Sequence, residues 1–196
     1  KAMVDTIAAM EYGRRPEMDY QVSWNLSSRE TVLDGKAERL ITDITVSTEL
    51  GSHTFQLYTF LPKVDHKVPA TVLICSQSRV LAPQKLPEGF SLDALPQIFA
   101  QMNIVMDGPM DLGGPRRALD LAMDMDNGHW PVPMMMERMH AVSGFYATEA
   151  HPDDGNFTEG LATIFGTKKD RKEQEWGVLA VWSFAASCAL EYLLTL

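Results

Sequence analysis

The sequence predicts a mixed α/β domain, and three kinds of stretch carry that prediction. Two short runs, Ala70-Thr71-Val72-Leu73-Ile74-Cys75 and His140-Ala141-Val142-Ser143-Gly144-Phe145-Tyr146, are almost continuously apolar or small. Strands buried on both faces of a parallel sheet read this way. Ahead of them, Glu38 to Thr48 alternates, with Leu40, Thr42, Ile44 and Val46 on one face, and Thr54 to Leu61 reads as its partner across Gly51-Ser52. Alternation with a period of two marks half-buried strands, and the glycine turn makes them an antiparallel hairpin. Behind them, an apolar segment from near Gln174 to Leu194 reads as a long helix, roughly 30 Å at about 1.5 Å per residue. It is apolar nearly all round, which predicts burial.

The remaining elements follow in order. Met3, Ile7 and Met10 stand at helical spacing, and Gly13 and Pro16 end that helix. Tyr20 to Trp24 alternates only loosely. Pro62 stops the second hairpin strand and Pro69 opens the first apolar run. Val132 to Met139 reads as a short helix, with Pro131 and Pro133 near its start. Between Arg79 and Trp130 the chain is broken by Pro83, Pro87, Pro96, Pro109 and Pro115. Ser91 or Asp93 could cap a helix over Leu95–Met102, and Gly114-Pro115 could start another that Asn127-Gly128 closes. Residues 79–130 are expected to form an insertion or lid between strands.

At 196 residues one domain with a sizeable core is the simplest expectation. The net charge of −9 and pI near 5.0 argue against nucleic acid and against an anionic membrane, both of which select basic surfaces. A tail-anchored reading competes at the terminal helix. Its length suits a span, and Lys168, Lys169, Arg171 and Lys172 resemble a basic flank. Glu191, Ser183, Ser187 and Cys188 within the segment oppose it. Cys75 and Cys188 sit in apolar runs and read as free buried thiols. No signal peptide follows Lys1, which leans towards a cytoplasmic setting, although the true start is missing and the compartment stays unknown.

No serine sits in a Gly-x-Ser-x-Gly elbow. Gly89-Phe90-Ser91-Leu92-Asp93 lacks the second glycine, and Ser143-Gly144 lacks the first. The histidines, His53, His66, His129, His140 and His151, form no i, i+4 pair, so no zinc helix is expected. Glu137-x-x-His140 is a single copy of a motif that dimetal sites use twice. Asp124 to Gly128 fails the register of a calcium loop, and no metal site is predicted. Two loops remain. Ser76-Gln77-Ser78-Arg79 follows the first apolar strand and His151-Pro152-Asp153-Asp154 follows the second. Both would lie at the carboxyl end of the sheet, where open α/β folds bind ligands. Each also has an ordinary reading, with Asp153 as a helix cap and Arg79 in a surface ion pair.

Four segments resemble the glucuronoyl-esterase-like group of α/β-hydrolases, with its acetyl-xylan-esterase-like relatives. They are Glu11-Tyr12-Gly13-Arg14-Arg15-Pro16, Val32-Leu33-Asp34-Gly35-Lys36-Ala37, the strand ending from Tyr146 to Asp153, and Trp176-Gly177 with Val181-Trp182-Ser183. Their order and spacing make the likeness. It implies an incomplete α/β-hydrolase sheet with an antiparallel amino-terminal hairpin, flanking helices and a buried carboxy-terminal helix. Residues 1–196 would be the amino-terminal part of one such domain.

By the same resemblance the intact protein is a serine carboxylic-ester hydrolase, plausibly on carbohydrate esters, using no metal or organic cofactor. The catalytic Ser, His and acid are expected beyond Leu196, so this chain alone is expected to be inactive. Ser76 and Gln77 are the candidates near the acyl oxygen, and His151 and Asp153 are expected to shape the site mouth. A sheet cut part-way leaves an unpaired edge, so self-association is expected. The alternatives are a non-catalytic binding or structural module, or the tail-anchored protein.

Overall fold

The computed structural model describes residues 2–7, 12–75, 132–172 and 174–196. The expected insertion at 79–130, the helices read within it, and the candidates Ser76 and Gln77 lie outside the described residues.

Among the described residues five strands form one mixed sheet: β1 (Gln21–Val32), β2 (Ala37–Thr48), β3 (Gly51–Pro62), β4 (Ala70–Cys75) and β5 (Ala141–Tyr146), in the spatial order β1-β2-β3-β5-β4. β1, β2 and β3 pair antiparallel in turn, β3 pairs antiparallel with β5, and β5 pairs parallel with β4. The helices among the described residues are α1 (Ala2–Ile7), α2 (Val132–Glu137), α3 (Ala147–Ala150) and α4 (Val178–Leu193), with a 3₁₀ turn at Thr163–Phe165.

The expected hairpin is β2–β3, with Ala37 opposite Pro62 and Thr48 opposite Gly51. It is one half of a three-stranded meander, because β1 adds to it. β1 is largely exposed and slips register between Leu26 and Ser28, so no apolar period runs through it. The β1–β2 turn takes Leu33, Asp34 and Gly35 through left-handed backbone at φ 51, 53 and 88.

β2 buries Leu40, Thr42, Ile44 and Val46, as its alternation predicts. The buried Thr42 hydroxyl is satisfied by the Tyr192 hydroxyl of α4 at 3.0 Å. β5 is buried at every residue, as its continuous apolar run requires. β4 corrects the expectation of equal burial. It is the last described strand of the sheet, and Ala70 and Ile74 are exposed.

Two apolar layers follow from the pleat. On one face Ile44, Val46, Phe55, Leu57 and Phe145 pack with Phe165, Trp176 and the inner side of α4. On the other, Tyr58, Phe60, Val142 and Tyr146 pack with Val132 and Met136 of α2.

The terminal helix starts at Val178, not near Gln174. The intervening backbone is engaged elsewhere: Arg14 pairs with Glu175 in a parallel bridge, Trp176 N–H donates to the Arg14 carbonyl at 3.0 Å, and Gly177 N–H to the Tyr12 carbonyl at 2.8 Å. Burial all round is also corrected. Val181, Ala185, Cys188, Ala189 and Tyr192 form one buried stripe, while Leu179 and Leu190 are exposed. Among the described residues no helix is long and apolar enough to cross a membrane.

Candidate functional site

The parallel pair sets the geometry. Register runs from Ala70 opposite Ala141 to Cys75 opposite Tyr146, so both strands end at one edge of the sheet. The Cys75 end of β4 therefore lies beside Tyr146, next to the start of α3. Strand order also reverses here: the chain makes β4 at the far side and returns to place β5 between β3 and β4. Such switch points, at carboxyl strand ends, are where open α/β sheets bind ligands.

α3 is a single turn, and β3 fixes it from the side. His53 Nε2 lies 2.7 Å from the Glu149 carbonyl, and the Gln56 backbone N–H points to the Glu149 carboxylate at 3.4 Å. From Gln56 a polar string continues across the sheet. The Tyr58 hydroxyl donates to Gln56 Oε1 at 3.2 Å, Gln56 Nε2 donates to Asp43 Oδ1 at 2.9 Å, and Ser27 donates to the second Asp43 oxygen. Glu149 thus holds a half-buried carboxylate at the carboxyl edge. The sequence reading passed over it. The available signal was its position, three residues past a fully buried strand and two before His-Pro-Asp.

His151 and Asp153 stand in different settings. His151 is 1% exposed and packs its ring 4.9 Å from that of Phe157. Its carbonyl accepts the Trp182 indole N–H at 2.9 Å, and its own N–H donates to Ala147 at 2.9 Å. Burial pushes its pKa below the ordinary 6.5, against smaller opposing pulls from the Glu159 backbone and the Asp154 carboxylate. Asp153 is exposed in the loop beyond. Its neighbour Asp154 accepts the Asn156 N–H at 2.8 Å, which holds its pKa below the ordinary carboxylate range.

The described side chains do not assemble a serine triad. The Ser143 hydroxyl is committed to Thr59 inside the sheet at 2.9 Å, and Ser183 and Ser187 bond back to their own helix. Among the described residues no serine hydroxyl meets a histidine: His53 is on Glu149, and His140 faces the Thr71 hydroxyl at 2.8 Å. Burial pushes the Cys188 thiol up to about 12, so it is no thiolate at neutral pH. No group of three His, Cys, Asp or Glu side chains among the described residues could hold a metal ion.

Two clefts lie at the opposite edge. One of about 580 Å³ is lined by the Leu33–Lys36 turn, Pro62 and Met136. Another of about 680 Å³ is lined by Ala70, Ala141, Leu190 and Leu193. Ala70 and Ala141 begin their strands, so these hollows sit away from the switch point.

Sheet order, the parallel β4–β5 pair and the helices on both faces make this an α/β-hydrolase fold. Within that class the chain resembles the glucuronoyl esterases. It superposes on a glucuronoyl esterase from Solibacter usitatus with a TM-score of 0.67 at 18% identity, over 99% of this chain and 47% of that one. A promiscuous CE15 esterase from a marine bacterial metagenome gives 0.64 at 20% identity, over 99% and 47%. A CE15 glucuronoyl esterase from Teredinibacter turnerae T7901 gives 0.58 at 20%, over 99% and 41%.

In sequence, the carbohydrate esterase MZ0003 from an unknown prokaryotic organism is 28% identical over 82 residues, 40% of this chain and 19% of that protein. No family model matches the chain. The chain spans about half the length of the solved structures and about a fifth of the curated relative.

Proposed function

We propose that residues 1–196 are the amino-terminal part of a serine carboxylic-ester hydrolase that acts on carbohydrate esters. The observation that carries this reading is the switch point, where β4 and β5 end together at Cys75 and Tyr146 in a sheet shared with glucuronoyl esterases. In such a fold one oxyanion-hole N–H comes from the loop after the strand that β4 matches. On this reading Ser76 and Gln77 are the candidates near the acyl oxygen. Asp153, on the exposed loop after α3, belongs at the site mouth, with His151 buried beneath it. On the same reading residues 79–130 are an insertion or lid region.

The nucleophile is a serine outside residues 1–196, since none within them sits in an elbow. The reaction needs no metal or organic cofactor: serine attacks the acyl carbon, the sugar alcohol or its counterpart leaves, and water releases the acid. The test is hydrolysis of a glucuronic-acid methyl ester and an acetylated sugar by the product of the complete reading frame and by residues 1–196 alone. Turnover is expected from the first and not from the second. An inactive complete product would favour a non-catalytic binding module, and an active 196-residue chain would contradict the assignment of the nucleophile.

Residues 1–196 expressed alone are expected to self-associate. No described strand pairs with the outer side of β4, Ile74 there is 40% exposed, and Leu179 and Leu190 of α4 are exposed nearby in the same polypeptide. An open strand edge with apolar flanks templates pairing with a second chain. Sedimentation at micromolar protein checks this, and a monodisperse monomer would count against an open β4 edge.

A further inference from the structure

His151 buries its imidazole without satisfying it. Among the described residues neither Nδ1 nor Nε2 has a hydrogen-bond partner, although a neutral ring carries one donor and one acceptor. The Glu159 backbone acts on the ring and favours its charged form. The loop over it is under strain. Phe157 holds φ 53, left-handed backbone that a bulky residue rarely adopts, to bring its ring against the imidazole. Gly160, at φ 83, closes the other side. A Cβ there would stand 2.6 Å from His151 Nδ1 and 2.8 Å from its Cα.

The loop's two ends are tied and its middle is not. Leu161 N–H donates to the Ala150 carbonyl at 2.8 Å, and the Trp182 indole donates to the His151 carbonyl at 2.9 Å. Among the described residues, the hydrogen bonds made within Pro152–Glu159 are those of the local Asp154–Asn156 turn.

We propose that His151 is an acid-triggered latch: neutral, it packs beneath the Pro152–Glu159 loop, and protonated, it drives that loop open at the carboxyl edge of the sheet. A buried imidazolium would carry two unmet donors and a charge in apolar surroundings, which proteins avoid by exposing the group. Opening is the easier route here, because the loop surrenders backbone strain and few hydrogen bonds.

The charged and titratable groups around the ring are known. Asp154 and Glu159 of its own loop favour the cation, and His53 of β3 opposes it. Arg171 lies 5.3 Å from the Phe157 ring centre and adds positive charge to the same cluster. α4 presents the uncharged Trp182. The sign follows from linkage. The closed loop holds the imidazole below its ordinary 6.5, so the open form binds more protons in the window beneath that value. Closure is complete above 6.5 and is lost as the pH falls from there towards the depressed value. Opening of the loop does not depend on the ester chemistry, although the loop carries Asp153 of the proposed site mouth.

Hydrogen exchange of the Leu161 amide and the Trp182 indole, corrected for intrinsic rates, tests it. Between about pH 7.5 and about pH 5, protection of both is expected to fall at least about tenfold, the factor for one pH unit of protonation. The Leu57 amide in the sheet should keep its protection, and the carbon-bound ring protons of His151 should titrate with a midpoint under 6.5. His151→Asn should abolish the pH dependence. The ring titration in the unaltered protein decides the matter if that variant fails to fold. Unchanged protection across the range, a midpoint at or above 6.5, or equal loss at Leu57 would each overturn the latch.

Discussion

Replacing Gly13 with alanine is expected to destabilise the fold by at least about 3 kcal/mol, and to do so by breaking a junction between the two ends of the chain. Gly13 holds φ 74, and a Cβ there would overlap the Glu175 carbonyl oxygen, with the carbonyl carbon at 2.5 Å and the Trp176 Cα at 2.6 Å. These are backbone atoms that cannot swing aside. Relief requires the Tyr12–Arg14 segment to back away from Gln174–Gly177. Three hydrogen bonds go with it: Arg14 N–H to Gln174 at 2.9 Å, Trp176 N–H to Arg14 at 3.0 Å and Gly177 N–H to Tyr12 at 2.8 Å.

At about 1 kcal/mol each, plus roughly 1 for left-handed backbone, the sum passes 3. Gly35→Ala is the control. Its φ is 88 but a Cβ there meets nothing within 4 Å, so only the backbone cost of about 1 kcal/mol remains. Urea unfolding of both variants measures the difference. Equal losses would refute the junction.

Trp176→Ala is expected to cost about 4 kcal/mol. The ring is 1% exposed and meets Phe165 and Phe184 edge-on at 5.3 and 5.6 Å. Its indole donates to the buried Thr167 hydroxyl at 2.7 Å. Truncation therefore opens a large cavity and strands a buried hydroxyl. Trp176→Phe separates the two effects. It retains most of the aromatic packing and removes the hydrogen bond, for a loss of about 1–2 kcal/mol. A Phe variant as unstable as the Ala variant would mean that the indole bond, and not the packing, dominates. Because Trp176 and Gly13 share the junction, their combined effect should fall short of the sum.

The parts legible in the sequence were those whose burial is regular. β2 showed through Leu40, Thr42, Ile44 and Val46 because one face is wet, and β5 through an unbroken run because both are dry. β1 was nearly silent: its slip at Leu26–Ser28 and its exposure erase the period. β4 resembled β5 in composition and differs in burial, because position within a sheet is not written in a strand's own residues.

The start of α4 was misplaced for a related reason. Glu175 and Trp176 suit a helix locally, and a partner from the other end of the chain claims their backbone. The Tyr12-Gly13-Arg14 and Trp176-Gly177 segments, read as separate motifs in the sequence, are one contact in space.

The sequence located the His151–Asp153 loop at the carboxyl edge of the sheet, where the structure has it. It could not reveal that the imidazole is buried while Asp153 is exposed, because Phe157 and Gly160 fold back through left-handed backbone. Glu149 was missed because its placement comes from β3, through His53 and Gln56, and its position after β5 was the one local signal.

The most direct test of the account is covalent labelling of the complete gene product with a serine-directed fluorophosphonate, followed by peptide mapping. The account predicts one labelled serine, outside residues 1–196, whose labelling is suppressed by a glucuronic-acid ester. A labelled serine within residues 1–196, or a folded complete product that takes no label, would contradict it.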